Sequence, residues 1–150
     1  MSLNEILDLA VVIIANWLNL VLSLIFLNRV FGRAKWEPGL GYGTIVMAVP
    51  LAAVAIANLV NQRGWAFGLL PLVMVVYLAL EFVLDYVLKV NFRQTRWLGP
   101  YLLVFYLALF MLIGYAFMVG RLYGMLTLVT YFIQLFATAY SYRHVGHGVG

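Results

Sequence analysis

Apolar residues dominate the chain in five long runs that are separated by short polar segments. The runs extend over residues 6–27, 43–59, 65–88, 98–119 and 122–142. A transmembrane helix needs about 20 mainly apolar residues to cross about 30 Å of hydrocarbon, and each run is close to that length. The pattern predicts an all-α polytopic membrane protein, a bundle of about five transmembrane helices. We expect a single domain over residues 1–142, followed by a flexible cytoplasmic tail over residues 143–150.

Glycine and proline residues mark breaks between and within the apolar runs. A break at Gly120 divides the last two runs, because one continuous helix over both would be about 67 Å long. Pro50 interrupts the second run, but neighbouring helices satisfy the carbonyl group that a proline leaves free in a membrane helix. The glycine-rich segment Gly39–Gly43 is predicted to be a flexible linker.

The composition agrees with a membrane protein. Hydrophobic residues make up 66% of the 150 residues and charged residues only 9%, which differs strongly from soluble domains. The chain has no cysteine, which excludes structural disulfides, thiolate metal sites and dithiol redox chemistry. The net charge of +4 comes from short basic clusters between apolar runs, so we expect the lipid bilayer as a partner and no nucleic acid.

The basic residues favour one side of the predicted bundle. Seven of them follow the first, third and fifth runs, and two lie in the other connections. The larger group is Arg29, Arg33, Lys35, Lys89, Arg93, Arg96 and Arg143, and the smaller group is Arg63 and Arg121. Because Lys and Arg prefer the cytoplasmic side, the pattern predicts an outside N-terminus and a cytoplasmic C-terminus in a multi-pass protein of the plasma or inner membrane.

Two carboxylates lie inside the third run. Glu81 and Asp85 follow Tyr77 at four-residue spacing, so the three side chains share one face of the predicted helix. A charge at the centre of a bilayer costs about 2.5–3.5 kcal/mol on insertion scales, and such residues usually face a polar interior. Asp85 is expected to reach toward the interface and pair with Lys89, whereas Glu81 is predicted to lie about 12 Å inside.

Neutral polar residues form stripes on the first and fifth predicted helices. By depth, Asn19, Glu81 and Gln134 lie at a similar level, which predicts a polar and acidic cavity between three helices. The predicted ligand- or ion-binding residues are Glu81, Asp85, Tyr77, Asn19, Gln134, Asn16, Thr130 and Asn58. The alternative for the neutral residues is interhelical hydrogen bonding, which contributes about 0.6 kcal/mol per bond on average.

The fourth run and the connections carry fewer signals. Residues 98–119 contain no charged or amide side chain, so we expect this helix to face lipid or a partner subunit. Four basic residues are predicted to contact anionic lipid headgroups, namely Arg33, Lys35, Arg93 and Arg96. His144 and His147 lie among glycines, which predicts a frayed chain end and no metal site.

The leading functional hypothesis is a small integral membrane protein that is not an enzyme. Its cavity would bind or translocate a proton, a cation or a small polar or amphipathic molecule, because four of the five acids map to inward helix faces: Glu5, Asp8, Glu81 and Asp85. Five helices are few for a monomeric pathway, so a homodimer or larger membrane complex is expected. Two alternatives stay open, an accessory or assembly subunit and an interfacial lipid-modifying enzyme. No cofactor or catalytic residue follows from the sequence.

Overall fold

The computed structural model describes residues 1–145, apart from the side chains of Ala34 and Gln94. These residues form six α-helices and no β-strand: α1 (Leu3–Val30), α2 (Glu37–Val46), α3 (Ala48–Val60), α4 (Trp65–Glu81), α5 (Leu98–Val119) and α6 (Arg121–Val145). A π-helical segment, Phe82–Val87, extends α4, and short 3₁₀ turns lie at Ala34–Trp36 and Phe92–Gln94.

The prediction of an all-α chain with five membrane-length helices is confirmed. Five helical units are long and apolar enough to cross a membrane, counting α2 with α3 as one unit and α4 with its π-helical extension as another. The first unit begins at Leu3, three residues before the predicted boundary, because a capping box starts the helix. The Ser2 hydroxyl accepts a hydrogen bond from the Glu5 N–H at 3.3 Å, and the Glu5 carboxylate accepts one from the Ser2 N–H at 2.8 Å.

The second unit consists of two helices because of a proline. Pro50 has no N–H to donate to the carbonyl of Val46, and its ring crowds that carbonyl. Accordingly α2 ends at Val46, and α3 begins at Ala48 after a break at Met47. The position of the break follows from the i to i−4 spacing of helical hydrogen bonds.

The prediction of a flexible linker at Gly39–Gly43 is wrong, because these residues lie in α2. Pro38 occupies the first turn of α2, where the N–H that proline lacks would have no partner within the helix. Gly41 has a packing role, since a Cβ atom at this position would collide with the hydroxyl of Tyr86 in the π-helical segment. The rings of Tyr42 and Tyr86 lie 4.4 Å apart, which brings α2 against the end of α4.

Helix α1 forms the centre of the bundle. It packs most extensively against α6 and also contacts α2, α3 and α5, while α3 packs on α4, α4 on α5 and α5 on α6. Residues Val11, Ala15 and Leu18 of α1 are almost completely buried.

The lack of charged and amide groups suggested that helix α5 lies on the periphery of the bundle. The structure instead packs one face of this helix into the interior. It buries a long face that includes Phe105, Ala108, Leu112 and Tyr115. Another face, which includes Leu103 and Phe110, is exposed, and the expectation that this helix faces lipid or a partner stays a prediction for that face. In a membrane protein the interior and the lipid are both apolar, so the absence of polar residues does not distinguish a buried helix from an exposed one.

Candidate functional site

A cavity lies at the end of the bundle where α1 and α6 finish and α5 begins. We call this the basic end, because Arg29, Arg93 and Arg143 all line the cavity. The cavity has a volume of about 380 Å³ and is bordered by α1, α4, α5 and α6. Glu81 is the acidic residue in its lining, and most of the remaining wall is apolar or aromatic: Leu22, Ile25, Phe26, Leu98, Leu102, Phe105 and Leu135.

Glu81 is the last residue of α4 and is half-buried. Its Oε2 atom is buried and has no hydrogen-bond partner among the residues that the structure describes. One turn earlier, Tyr77 lines the same cavity, and its hydroxyl lies 2.9 Å from the hydroxyl of Tyr101 on α5. The cavity therefore contains an unsatisfied acceptor beside a pair of phenolic hydroxyls.

The π-helical segment after Glu81 widens the last turn of the third unit. The N–H of Leu88 donates to the carbonyl of Val83, five residues earlier, at 2.8 Å. Segments of this kind are uncommon and often occur at functional sites. The wider turn alters the direction of the side chains that follow Glu81, so the four-residue spacing no longer maintains one continuous face.

Asp85 pairs with Arg93 and not with Lys89, which corrects the expectation from spacing. The Arg93 Nη1 atom donates to Asp85 Oδ1 at 2.9 Å, and Nη2 donates to Oδ2. Lys89 is exposed and has a positive φ of 49°, so the chain leaves the helical direction there. The connection then returns Arg93 to Asp85.

The ion pair keeps Arg93 charged despite its partial burial. Burial alone lowers the pKa of Arg93, but the hydrogen bonds and the negative charge of Asp85 raise it, and the net result is an elevated pKa. Arg93 thus presents a permanent positive charge at the cavity.

Arg29 is held in a similar way at the end of α1. Its Nε atom donates to Glu37 Oε2 at 2.9 Å, which ties α1 to the beginning of α2. The guanidinium has further N–H groups that this bond does not use. Arg143, near the end of α6, is exposed and forms no ion pair with any residue of the described range.

The polar stripes of α1 and α6 meet each other away from the cavity lining. Asn16 donates to the Thr127 hydroxyl at 3.1 Å and accepts from Thr130 at 2.8 Å, while Asn19 donates to Thr130 at 3.0 Å. These contacts form an interhelical seam. Oδ1 of Asn19 is buried without a partner in the part of the chain described.

Gln134 lies further along α6 and is completely buried. Its Nε2 atom donates to the Thr138 hydroxyl at 2.9 Å on the same helix, and its Oε1 atom is buried with no partner within residues 1–145. Thr138 lines the cavity. Of the eight predicted binding residues, the structure therefore places Glu81 and Tyr77 in the cavity wall and Gln134 next to a wall residue.

Asn58 belongs to a second polar cluster, at the opposite end of the bundle. Asp8 of α1 accepts two hydrogen bonds from Arg63, each at 2.9 Å, and a third from the Tyr115 hydroxyl at 2.8 Å. Arg63 also donates to Asn58 Oδ1 at 3.0 Å. Hydrogen bonding to Asp8 raises the pKa of Arg63, so this residue is charged in the cluster. We call Asp8, Asn58, Arg63 and Tyr115 the Asp8 cluster.

Asn58 also compensates for a proline in α4. Pro71 cannot donate to the carbonyl of Phe67, four residues earlier, and the Nδ2 atom of Asn58 donates to this carbonyl at 3.0 Å. The same Nδ2 atom contacts the Tyr115 hydroxyl at 3.2 Å. Asn58 thus has a complete set of structural partners.

The residues predicted to contact lipid headgroups occupy two different environments. Arg33, Lys35 and Arg96 are exposed, and none of them forms an ion pair within the described range. Arg33 and Lys35 share a shallow surface groove with Trp36. Arg93 instead lines the cavity.

Sequence reasoning missed the contribution of Arg29 and Arg143 to the cavity and the role of Tyr115 in the Asp8 cluster. The positive-inside pattern placed Arg29, Arg93 and Arg143 on one side of the bundle, and their proximity could have been inferred from this signal. The helix α6 continues to Val145, and His147 lies outside the described residues. Within the described range, no group of three or more His, Asp or Glu side chains is positioned to hold a metal ion.

Comparison with known protein families, curated proteins and solved structures found no match. The class of protein therefore rests on the fold itself: an all-α bundle with five helices that are long and apolar enough to cross a membrane.

Proposed function

We propose that this protein is a non-enzymatic integral membrane protein that binds an amphipathic molecule in the cavity at its basic end. The polar part of the ligand would lie against Glu81, Arg29 and Arg93, and its apolar part would lie along α1, α5 and α6. The observation that carries this proposal is the combination of guanidinium groups and one carboxylate at an otherwise largely apolar cavity.

The dimensions of the cavity support a small-molecule site. Its volume of about 380 Å³ falls within the range of about 300–1,000 Å³ that is usual for ligand pockets. Such pockets are mainly apolar and have a few polar groups that orient the ligand. An amphipathic molecule satisfies both parts of this lining.

The charges favour an amphipathic ligand over a bare cation. Three arginines line the cavity together with Glu81, so an isolated cation would meet several like charges at close range. An anionic headgroup would instead be attracted by the guanidinium groups, which bind phosphate and carboxylate through several N–H donors.

The enzymatic alternative requires Glu81 and Asp85 to act together on a divalent cation or as an acid and base pair. Both oxygens of Asp85 are engaged by Arg93. Catalysis by Asp85 would first require its ion pair with Arg93 to break, whereas ligand binding leaves this contact intact.

Two neighbouring leucines of α5 provide a test of the binding proposal. Leu102 lines the cavity, whereas Leu103 does not and is 69% exposed. Leu102→Trp should fill part of the cavity and reduce the amount of amphiphile that copurifies with the protein, as measured by native mass spectrometry. Leu103→Trp is the control and should leave the amount unchanged. Equal amphiphile content in both variants and in the unmodified protein would remove the proposal.

We also propose that the basic end faces the cytoplasm, which places the N-terminus outside and the C-terminus inside. The support is the concentration of seven of the nine basic residues in the connections and chain end on this side. Because the chain has no cysteine, Asn91→Cys and Asn61→Cys form a matched pair of exposed positions at the two ends. In a plasma or inner membrane, a membrane-impermeant maleimide added outside intact cells should label only Asn61→Cys. The reverse labelling would contradict this orientation.

A further inference from the structure

We propose that the ligand of the basic-end cavity is a phospholipid whose headgroup carries both a phosphate and an ammonium group with N–H donors, as in phosphatidylethanolamine. This inference rests on the proposed binding function and assigns the chemistry of the headgroup. It follows from which charged groups of the cavity already have partners and which do not.

The arginines provide a phosphate site. Arg29 uses Nε for Glu37, and Arg93 directs Nη1 and Nη2 toward Asp85, but each guanidinium carries five N–H groups. The carboxylates hold the arginine side chains in position and leave N–H groups for another acceptor. Arg143 has no acidic partner in the described part of the chain and lines the same cavity.

Glu81 needs a hydrogen-bond donor, whereas the arginines need an acceptor. Its Oε2 atom is a buried acceptor without a donor among the described residues, and a buried acceptor that lacks a partner costs about 1–3 kcal/mol or more when charged. No N–H or O–H group of the described residues donates a hydrogen bond to this atom, so a donor from the ligand would satisfy it. An ammonium group would donate to an ionised carboxylate through a charge-assisted hydrogen bond, which is stronger than a bond between neutral groups.

Unused arginine N–H groups and a carboxylate oxygen without a donor line the same cavity. A headgroup that fits both carries an acceptor and a donor. A phosphate alone would leave Glu81 unsatisfied, and an amine alone would leave the arginine N–H groups unused. Choline also carries a positive charge, but its nitrogen has no N–H and cannot donate to Oε2. The aliphatic and aromatic wall formed by Leu22, Ile25 and Phe105 suits the acyl chains next to the headgroup.

A methylation series tests this assignment on the unmodified protein. Short-chain phosphatidylethanolamine, its N-methyl and N,N-dimethyl derivatives and phosphatidylcholine would be added to delipidated protein in detergent, and dissociation constants would be measured by native mass spectrometry. We expect the largest loss, about tenfold, at the last methylation step, where the final N–H disappears. Equal affinity across the series would overturn the assignment. Phosphatidylglycerol has hydroxyl donors and no cation, so binding as tight as that of phosphatidylethanolamine would also overturn it.

Two variants locate the effect. Glu81→Gln should abolish the preference for phosphatidylethanolamine over phosphatidylcholine, whereas Glu5→Gln at the opposite end should preserve it. A preference that survives Glu81→Gln would contradict the proposed contact. The methylation series keeps the test valid if Glu81→Gln fails to fold.

Leu102→Trp separates the two levels of the proposal. If all lipids bind more weakly to Leu102→Trp but methylation has no effect, the cavity binds lipid and only the headgroup assignment fails. If lipid binding is insensitive to Leu102→Trp, the proposed function fails.

Discussion

Pro71 and Asn58 are predicted to be energetically coupled, and a double-mutant cycle measures the coupling. Proline leaves the Phe67 carbonyl without its helical donor, and Asn58 supplies a side-chain donor at 3.0 Å. Asn58→Leu keeps a similar side-chain shape but removes this donor. Pro71→Ala restores a backbone N–H at the position that donates to the same carbonyl. The effect of each substitution on the free energy of unfolding should therefore depend on whether the other substitution is present.

The magnitude follows from the number of partners that Asn58 satisfies. Asn58 is fully buried, and besides Phe67 it contacts the Tyr115 hydroxyl and Arg63. Tyr115 and Arg63 both retain Asp8 as a partner when Asn58 is lost. The uncompensated cost of Asn58→Leu is therefore mainly one orphaned buried carbonyl, about 1–3 kcal/mol. In the Asn58→Leu background, Pro71→Ala should recover at least about 1 kcal/mol more than it does alone.

The free energy of unfolding would be measured in mixed micelles by tryptophan fluorescence for the unmodified protein, both single variants and the double variant. Asn16→Leu combined with Pro71→Ala is the control, because Asn16 forms its bonds in the α1–α6 seam. Sites that share no partner are additive within about 0.5 kcal/mol. Additivity of Asn58→Leu and Pro71→Ala within that margin would refute the compensation.

Two further stability predictions compare similar substitutions on α5 and α6. Tyr115→Phe removes a hydroxyl that donates to Asp8 and should lower the free energy of unfolding by about 1–3 kcal/mol. Tyr106→Phe is the control and should lower it by less than about 0.5 kcal/mol, because the Tyr106 hydroxyl has no hydrogen bond within residues 1–145. Equal losses in the unfolding assay would argue against a stabilising Asp8 cluster. Gly114→Ala meets open space within a helix and should stabilise by about 0.5–1 kcal/mol, but Gly124→Ala would collide with the Phe117 ring and should destabilise. A stabilising Gly124→Ala in the same assay would show that Phe117 moves away at little cost.

The helices could be predicted from the sequence because a helix of membrane-spanning length needs a long run of apolar residues, and such runs are visible in the sequence. It also placed Glu81 within the bundle, because an intramembrane carboxylate is costly unless it faces the interior. The break in the second unit was harder to locate, although Pro50 marked it. Within Gly39–Gly43, Gly41 packs closely against the Tyr86 hydroxyl, and spacing along the chain does not reveal this contact.

The details of the polar contacts were less predictable because they depend on loop geometry and on interhelical distances. Asp85 and Lys89 have the spacing of a helical ion pair, but the π-helical segment and the turn at Lys89 bring Arg93 into that position. Likewise, the equal depths of Asn19 and Gln134 were consistent with a shared cavity. Depth does not fix rotation about the helix axis, and the rotation directs Asn19 toward Thr130.

The Asp8 cluster has a consequence for the passage of any molecule through the bundle. It joins α1, α3, α5 and the connection before α4 by charged and neutral hydrogen bonds, so separating these helices would expose several polar groups at once. Under the proposed function, these hydrogen bonds lie between a ligand in the basic-end cavity and the opposite end of the bundle. A proposed ligand that passed through the bundle from end to end would have to separate Arg63 from Asp8, whereas a ligand that only binds at the basic end would leave this ion pair intact.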